Sequence, residues 1–582
     1  MATLQQKTSH GHKYWYIVES RRVNGKPRPV VLAYLGKAED LLRRLQELSD
    51  KQRIKSYSHG AVSALLEMAR TLDIPSLINT YVDSSRSYTA KKPTRNHLTV
   101  GTTLLLGAIG RVCMMTSKRG WWSWAQTTSC EYLLRCNLSK IDSQHFWDLM
   151  DALPVEAIEK IESAILQRVY QHFSIQTDTL FYDTSNFFTY IASTNERCNL
   201  AQRGKNKQKR NDLRQIGLAM VVTRKDYIPL FHMTYEGNRN DSKVFQRVHK
   251  KIKKRLLDLK LDIDKHTLVF DRGNNSKKNL KAIKELEFHY VGALTPYHHK
   301  TLVDEAMEKL TTKNMNGQSI QVYRDKREIW GETRTVLLYV SESFKAGQLR
   351  GFYQILEKKE KELLTLQAQL HRGTINVQNR DELECRITAL VKGQFLKNVF
   401  EYSLEETSTG RFQLDFRINH DTIAKVEEKL GVRILMTDRH DWNTTDIMDA
   451  YHGQANVELA FKNMKNPYHL AMKPQFHWTD QKITVHYFMG VLGYLLATLV
   501  WRTVRQETNY KGSLDTLLDT LNNIRLATVI EKSPGRGKPK VNYQLEEMST
   551  QENALMEALN ICSIHQKRPR WKGVGVYKNN ET

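Results

Sequence analysis

The chain has 582 residues, enough for several domains at about 100 to 200 residues each. Its 88 Lys and Arg against 63 Asp and Glu leave a net charge of +25, which points to a polyanionic partner, with nucleic acid first among them. Six scattered cysteines (Cys113, Cys130, Cys136, Cys198, Cys385 and Cys562) form no Cys-x-x-Cys pair, so neither a disulfide framework nor a structural zinc site is expected.

The first residues, MATLQQKTSHGHKYWY, lack the apolar stretch of a signal peptide, and a cytoplasmic location is expected. Residues 13 to 35 read as two strands around Asn24-Gly25, a strong hairpin signal, and assign a small β unit to residues 1–50. The run HGAVSALLEMARTLDIPSLINTYV places apolar residues at helical spacing, with a break at Pro75, and opens a helical region over 51–174 that is a candidate for binding DNA. Within it Lys118 and Arg119 precede Trp121, Trp122 and Trp124; the tryptophans suit the edge of a core better than a DNA face because of the area they bury. The apolar runs Leu98 to Ile109 and Tyr487 to Trp501 fall short of the roughly 18 residues a membrane span needs, so both are expected to be buried core helices.

Composition changes near Thr177. Strands are expected at TLFYDTS, IGLAMVV and IPLFHMTYE, with the basic loop RGKNKQKRNDLR after the first. A helix from Ser242, a strand at TLVFDRG, a helix from Ser276 and a strand at HYVGAL follow. Three strands without helices and then alternation describe an α/β fold with a mixed sheet flanked by helices, the order of an RNase H-like core, whose first part is assigned to 175–296. The irregular stretch 297–432 is too long for a structureless loop and reads as an inserted subdomain. VRILMTD, the helix around Glu458 and the apolar helix through Trp501 make the second part of the core, 433–508. Residues 509–582 form a helical, basic tail with a loop at Ser533 to Lys540. No internal repeat of fixed period is present.

Asp183 in FYDTS lies on the first core strand, and Asp271 in VFDRGNNS ends a later parallel strand, where ligands of open α/β sheets gather. Glu458 lies in YHGQANVELAFKNMK, on a helix whose apolar side holds Val457, Phe461 and Met464. Alone, such a Glu reads equally well as a solvated residue; the two aspartates upstream make it a candidate third ligand. Three hard carboxylate ligands suit Mg²⁺ or Mn²⁺ rather than zinc. Two such ions about 3.5 to 4 Å apart would activate an attacking oxygen and stabilise the leaving one, with Asp183 the natural bridge.

The three blocks FYDTSNFF, VFDRGNNSKKNL and YHGQANVELAFKNMK resemble the catalytic blocks of the DDE (Asp-Asp-Glu) transposases of bacterial insertion sequences. The third is similar to the Tyr-Arg-Glu-Lys signature of one large group among them: Tyr451, Glu458 and Lys465 keep its spacing, and Gln454 stands where that group has Arg. The segment IPLFHMTYEGNRNDSKVF, with its Gly-Asn and Asp, the N-terminal hairpin and the HGAVSALLEMARTL helix also resemble that group. The resemblance implies an RNase H-like domain, with an insertion before the catalytic Glu, that carries out DNA transposition. It further implies two metal ions, double-stranded DNA partners (the terminal inverted repeats of an element and target DNA), and a dimer on DNA. Tyr451 and Lys465 would grip phosphates near the cleaved end. Gln454 can donate a hydrogen bond but offers no charged fork there.

Further DNA contacts are expected from Arg203, Lys205, Lys207, Lys209 and Arg210 of the basic loop, from Arg272 and Asn274 beside Asp271, and from Lys462 on the Glu458 helix. By the same resemblance Trp330 is a candidate for stacking on a base flipped during hairpin formation; core packing is its alternative. Two other readings stay open: a nuclease or resolvase with the same core that never joins strands, and a DNA-binding protein that has lost catalysis.

Overall fold

The computed structural model describes residues 2–23, 26–43, 52–82, 96–192, 194–206, 208–271, 273, 275–315, 317–375, 379–407, 410–473, 475–531, 539–571 and 574. The chain divides into two compact units, one of Met1–Ile165 with Asn463–Thr582, the other of Leu166–Lys462.

The first unit opens with an antiparallel sheet of β1 (Ala2–Ser9), β2 (His12–Val23) and β3 (Lys26–Gly36), so the expected hairpin gains a third strand; its turn pair Asn24-Gly25 lies outside the described residues. β4 (Gln52–Ser58) pairs with a strand from near the far end of the chain. The helical core centres on Val100–Cys113, buried at every position, packed against Asp480–Glu507. Glycines permit this approach: a Cβ on Gly107 would collide with Met489, and one on Gly493 would crowd Ala108 and Val112. Asp480–Glu507 is long and apolar enough to cross a membrane by length and composition, yet 94% of its apolar window is buried inside the protein. Trp121 and Trp124 are buried too, with the Trp121 indole donating to the Leu106 carbonyl at 3.0 Å, so these two tryptophans build core and not a DNA face.

The second unit is built on one nine-stranded sheet. β5 (Thr179–Thr189), β6 (Arg214–Thr223) and β7 (Pro229–Glu236) form an antiparallel meander, and β8 (Thr267–Phe270) and β9 (His289–Leu294) add in parallel on the other side of β5. Helices Asp241–Asp258 and Lys277–Glu285 make the crossovers. The order β7-β6-β5-β8-β9, with only the first three strands antiparallel, is the RNase H-like arrangement expected from the sequence. All four residues of β8 are buried, as a strand with both faces covered requires.

The stretch 297–432 is only partly an insertion. β10 (Thr311–Met315), β11 (Gln318–Ile329) and β12 (Glu332–Val340) extend the main sheet, joined to β9 through β15 (Val432–Thr437). β12 is buried from Arg334 to Val340, the mark of an interior strand. The separate layer lies between β12 and β15: helices Glu342–His371, Arg380–Val391 and His420–Glu428 with the hairpin of β13 (Phe400–Glu406) and β14 (Phe412–Ile418), closed around Leu363, Leu366, Leu383, Ile387, Val399 and Leu414. The tail departs from a helical reading as well, since β16 (Arg525–Glu531) pairs with both β4 and β17 (Lys540–Leu545) in a three-stranded sheet of the first unit. Most of the loop at Ser533 to Lys540 lies outside the described residues.

Candidate active site

The parallel register of β5 on β8 pairs Tyr182 with Phe270, so the next residue on each, Asp183 and Asp271, stand level on neighbouring strands about 4.8 Å apart. In-register neighbours point to the same face of a sheet. β8 ends at Phe270, which puts Asp271 at the carboxyl end of a central parallel strand, exposed, while Asp183 is half-buried within β5. Burial pushes the Asp183 carboxyl up to about 7; the backbone N–H of Thr184 opposes that, and the charges of Asp271, Glu458 and Asp241 add to it. Asn275 ties the loop after Asp271 to β9 by donating to the Ala293 carbonyl.

Glu458 comes from a helix later in the chain. The segment Tyr451 to Lys465 is two helices, Thr444–His452 and Ala455–Lys465, joined at Gly453 and Gln454. A Cβ on Gly453 would collide with the ring of Phe181, two residues before Asp183 on β5, so glycine is what allows this joint to lie on the strand. Asn456 tethers the second helix by donating to the Arg224 carbonyl beyond β6. Val457, Ala460, Phe461 and Met464 are buried, and Glu458, Lys462 and Lys465 are on the exposed side.

Asp271, Glu458, Tyr451 and Gln454 line one cleft of about 350 Å³, with His452, Phe344 and Arg433. Tyr451 and Gln454 are both 7% exposed, so what they offer is at the cleft wall. As arranged, no three carboxylate, imidazole or thiolate groups among the described residues are close enough to hold a metal ion. The donor chemistry nevertheless fits one: the groups acting on Asp183 are acidic, and oxygen ligands of this kind suit a hard divalent cation.

The remaining candidates fall elsewhere. Arg203, Lys205, Lys209 and Arg210 are exposed in the loop between β5 and β6, which is folded: Asn206 donates to the Gly204 and Arg210 carbonyls, and the Arg210 amide donates back to it. Arg210 forks onto Asp212 at 2.9 and 2.8 Å and holds that carboxyl down at about 2, so its charge is already paired. Lys207, Arg272 and Asn274 lie outside the described residues. Trp330 is neither in the core nor at the cleft. It sits half-buried at the tip of the β11–β12 hairpin, where Trp330 (φ 55°) and Gly331 (φ 83°) both take the left-handed conformation of a tight turn. Asp271 is level with Ala293, Leu435 and Leu337, and Trp330 lies seven residues beyond Leu337 towards the opposite end of the sheet, about 23 Å along the strand. Trp330 therefore stands away from this cleft.

Two groups near the site carry no local mark in the sequence. Asp241, the first residue of its helix, acts electrostatically on Asp183, and only proximity in space gives it a role. Arg433, second residue of β15, reads in the sequence as one polar position in a buried strand.

The transposase DDE domain family matches residues 192–474, a span that contains Asp271 and Glu458, and the N-terminal domain of IS1634 family transposases matches residues 3–58. Together these spans take in more than half of the chain. No curated protein matches the sequence. Among solved structures, the piggyBac transposase synaptic complex with hairpin DNA, seen by cryo-EM, is similar at a TM-score of 0.39 and 9% identity over 79% of each chain, a likeness too slight to weigh. On the two family matches, the chain belongs to the DDE transposases of insertion sequences, DNA-acting enzymes that normally use divalent metal ions and catalyse DNA cleavage and strand transfer.

Proposed function

We propose that this transposase cuts at the terminal inverted repeats of its element and joins the freed ends to target DNA, with Asp183, Asp271 and Glu458 as the catalytic carboxylates. The observation that carries the reading is the register of β5 on β8, which sets Asp183 and Asp271 side by side, next to the cleft that Glu458 lines. Mg²⁺ or Mn²⁺, as two ions, would supply the Lewis acidity that activates the attacking oxygen and offsets charge on the leaving one. Asp183 is the central group; Asp271 and Glu458, both exposed, swing inward to complete the ligand set. Tyr451 and Gln454 at the cleft wall and Lys465 and Lys462 on the exposed side of the helix hold the DNA end, and Arg203, Lys205 and Lys209 follow the backbone further out. Positioning then does most of the work of phosphoryl transfer. Two ends must be cut together, so a dimer on DNA is the working form, acting in a prokaryotic cytoplasm on the nucleoid.

The test is incubation of the protein with labelled element-end DNA, a target plasmid and Mg²⁺, resolving nicked, hairpin and joined products. Joined product is expected. Nicked ends that are never joined would support the nuclease reading instead, and no cleavage at all would leave an inactive DNA-binding derivative.

A further inference from the structure

Among the described residues lining the catalytic cleft, Arg433 is the one Lys or Arg, facing a wall that also carries Asp271 and Glu458. Its position is built. The guanidinium lies over the Phe344 ring, 4.5 Å from its centroid, and its charge acts on the Tyr339 hydroxyl. Tyr339 is buried at 2% exposure, opposite Arg433 in the β12–β15 register, and its hydroxyl lies 3.1 Å from His452 Nε2. Phe344 lies just inside the first turn of the helix Glu342–His371, whose N-cap Ser341 accepts from the Phe344 amide at 3.4 Å. A guanidinium seated over one ring, beside a buried hydroxyl, loses little freedom on binding and has N–H groups to offer a ligand. A phosphodiester oxygen pair matches that fork. Gln454, on the same cleft wall, supplies hydrogen bonding without charge.

We propose that Arg433 is the phosphate seat of this cleft: it binds a backbone phosphodiester of the DNA strand laid across Asp271 and Glu458, and supplies the positive charge that Gln454 does not. The inference rests on the transposase reading of the same cleft. Tyr339, Phe344 and His452 act as positioning residues for the guanidinium.

The experiment uses the full chain carrying Asp271→Asn, so that no cleavage occurs, and a labelled 40-base-pair duplex whose affinity is measured over a range of salt. Arg433→Gln is expected to weaken binding about tenfold and to flatten the slope of log affinity against log salt by about 0.9, the signature of one lost phosphate contact. Arg433→Lys should recover part of the affinity, and Arg433→Gln combined with Gln454→Arg should restore the slope by placing a guanidinium on the same wall. Wild-type affinity and slope in Arg433→Gln would overturn the proposal, as would a lowered melting temperature with an unchanged slope, which is what a merely structural arginine gives. Cleavage by the protein with Asp271 intact, assayed in parallel, reports on the transposase reading separately: if it cleaves while Arg433→Gln binds normally, only the phosphate seat falls.

Discussion

Asp183 is a carboxyl group held by burial first and by other carboxyl groups second, and that has a thermodynamic signature. In the folded, metal-free protein it holds its proton up to about pH 7, against an ordinary value of 3.8 for the unfolded chain. The stability it contributes is complete below the unfolded value and is lost as pH rises through the folded one. Thermal melts in chelator should therefore fall in this window, Asp183→Asn should remove that part of the slope, and Mg²⁺ should raise the melting temperature most above pH 7. An unchanged slope in Asp183→Asn would mean the carboxyl is ionised throughout. Asp241→Asn should lower the Asp183 value and shift the same window to lower pH, read by the same melts. The three acids could be picked from the sequence because each sits in a local pattern, a strand end or an amphipathic helix. Asp241 and Arg433 could not, because their nearness to the cleft depends on crossovers and on the pairing of β12 with β15, which no local pattern encodes.

At the scale of elements, the joint between Thr444–His452 and Ala455–Lys465 decides where Glu458 stands. Gly453→Ala forces a methyl group against Phe181 and should cost about 1 to 3 kcal/mol by chemical denaturation, as overpacking does, with a larger proportional loss of cleavage because the Glu458 helix is displaced. Phe181→Leu in the same chain should recover part of both. If Gly453→Ala melts and cleaves like the wild type, the close approach is not what positions Glu458. The core strands β5 to β9 were legible from their apolar runs and the switch from meander to alternation. The extent of the insertion was not: β10 to β12 follow β9 in sequence after a helix, yet join the sheet only through β15, some ninety residues later in the chain, and that pairing is invisible until β15 is placed. The tail strand β16 is illegible for the same reason, its partner β4 lying near the start of the chain.

At the scale of the whole molecule, the excess of positive charge is not confined to exposed loops. In the first unit Arg111, Lys118 and Lys482 surround His477 and His486, with Lys118 Nζ, its own pKa pushed well down by burial and by Arg111, donating to His486 Nδ1 at 2.9 Å and His486 Nε2 donating to the Met472 carbonyl at 2.8 Å. Asp151, 3.3 Å from Lys482, also borders the group. Burial first, then Lys118 and Arg111, hold both histidines well below their ordinary 6.5, with Lys482 acting further on His477. Such groups give stability that is present above the unfolded value and lost as pH falls. The urea midpoint should drop between about pH 7.5 and pH 5, and His486→Gln should shrink that drop; an equal drop in the variant would place the acid sensitivity elsewhere.

The proposed catalysis depends on Asp183 standing beside the cleft that Asp271 and Glu458 line, and a single measurement tests it most directly. Cleavage of labelled element-end DNA is followed across a Mg²⁺ titration for the wild type and for Asp183→Asn, Asp271→Asn and Glu458→Gln, with DNA affinity measured alongside. The predicted result is Mg²⁺-dependent cleavage and joining in the wild type, about a hundredfold or greater loss in each variant, and binding retained in all three. Cleavage at the wild-type rate in any of these variants, with its Mg²⁺ dependence unchanged, would contradict it.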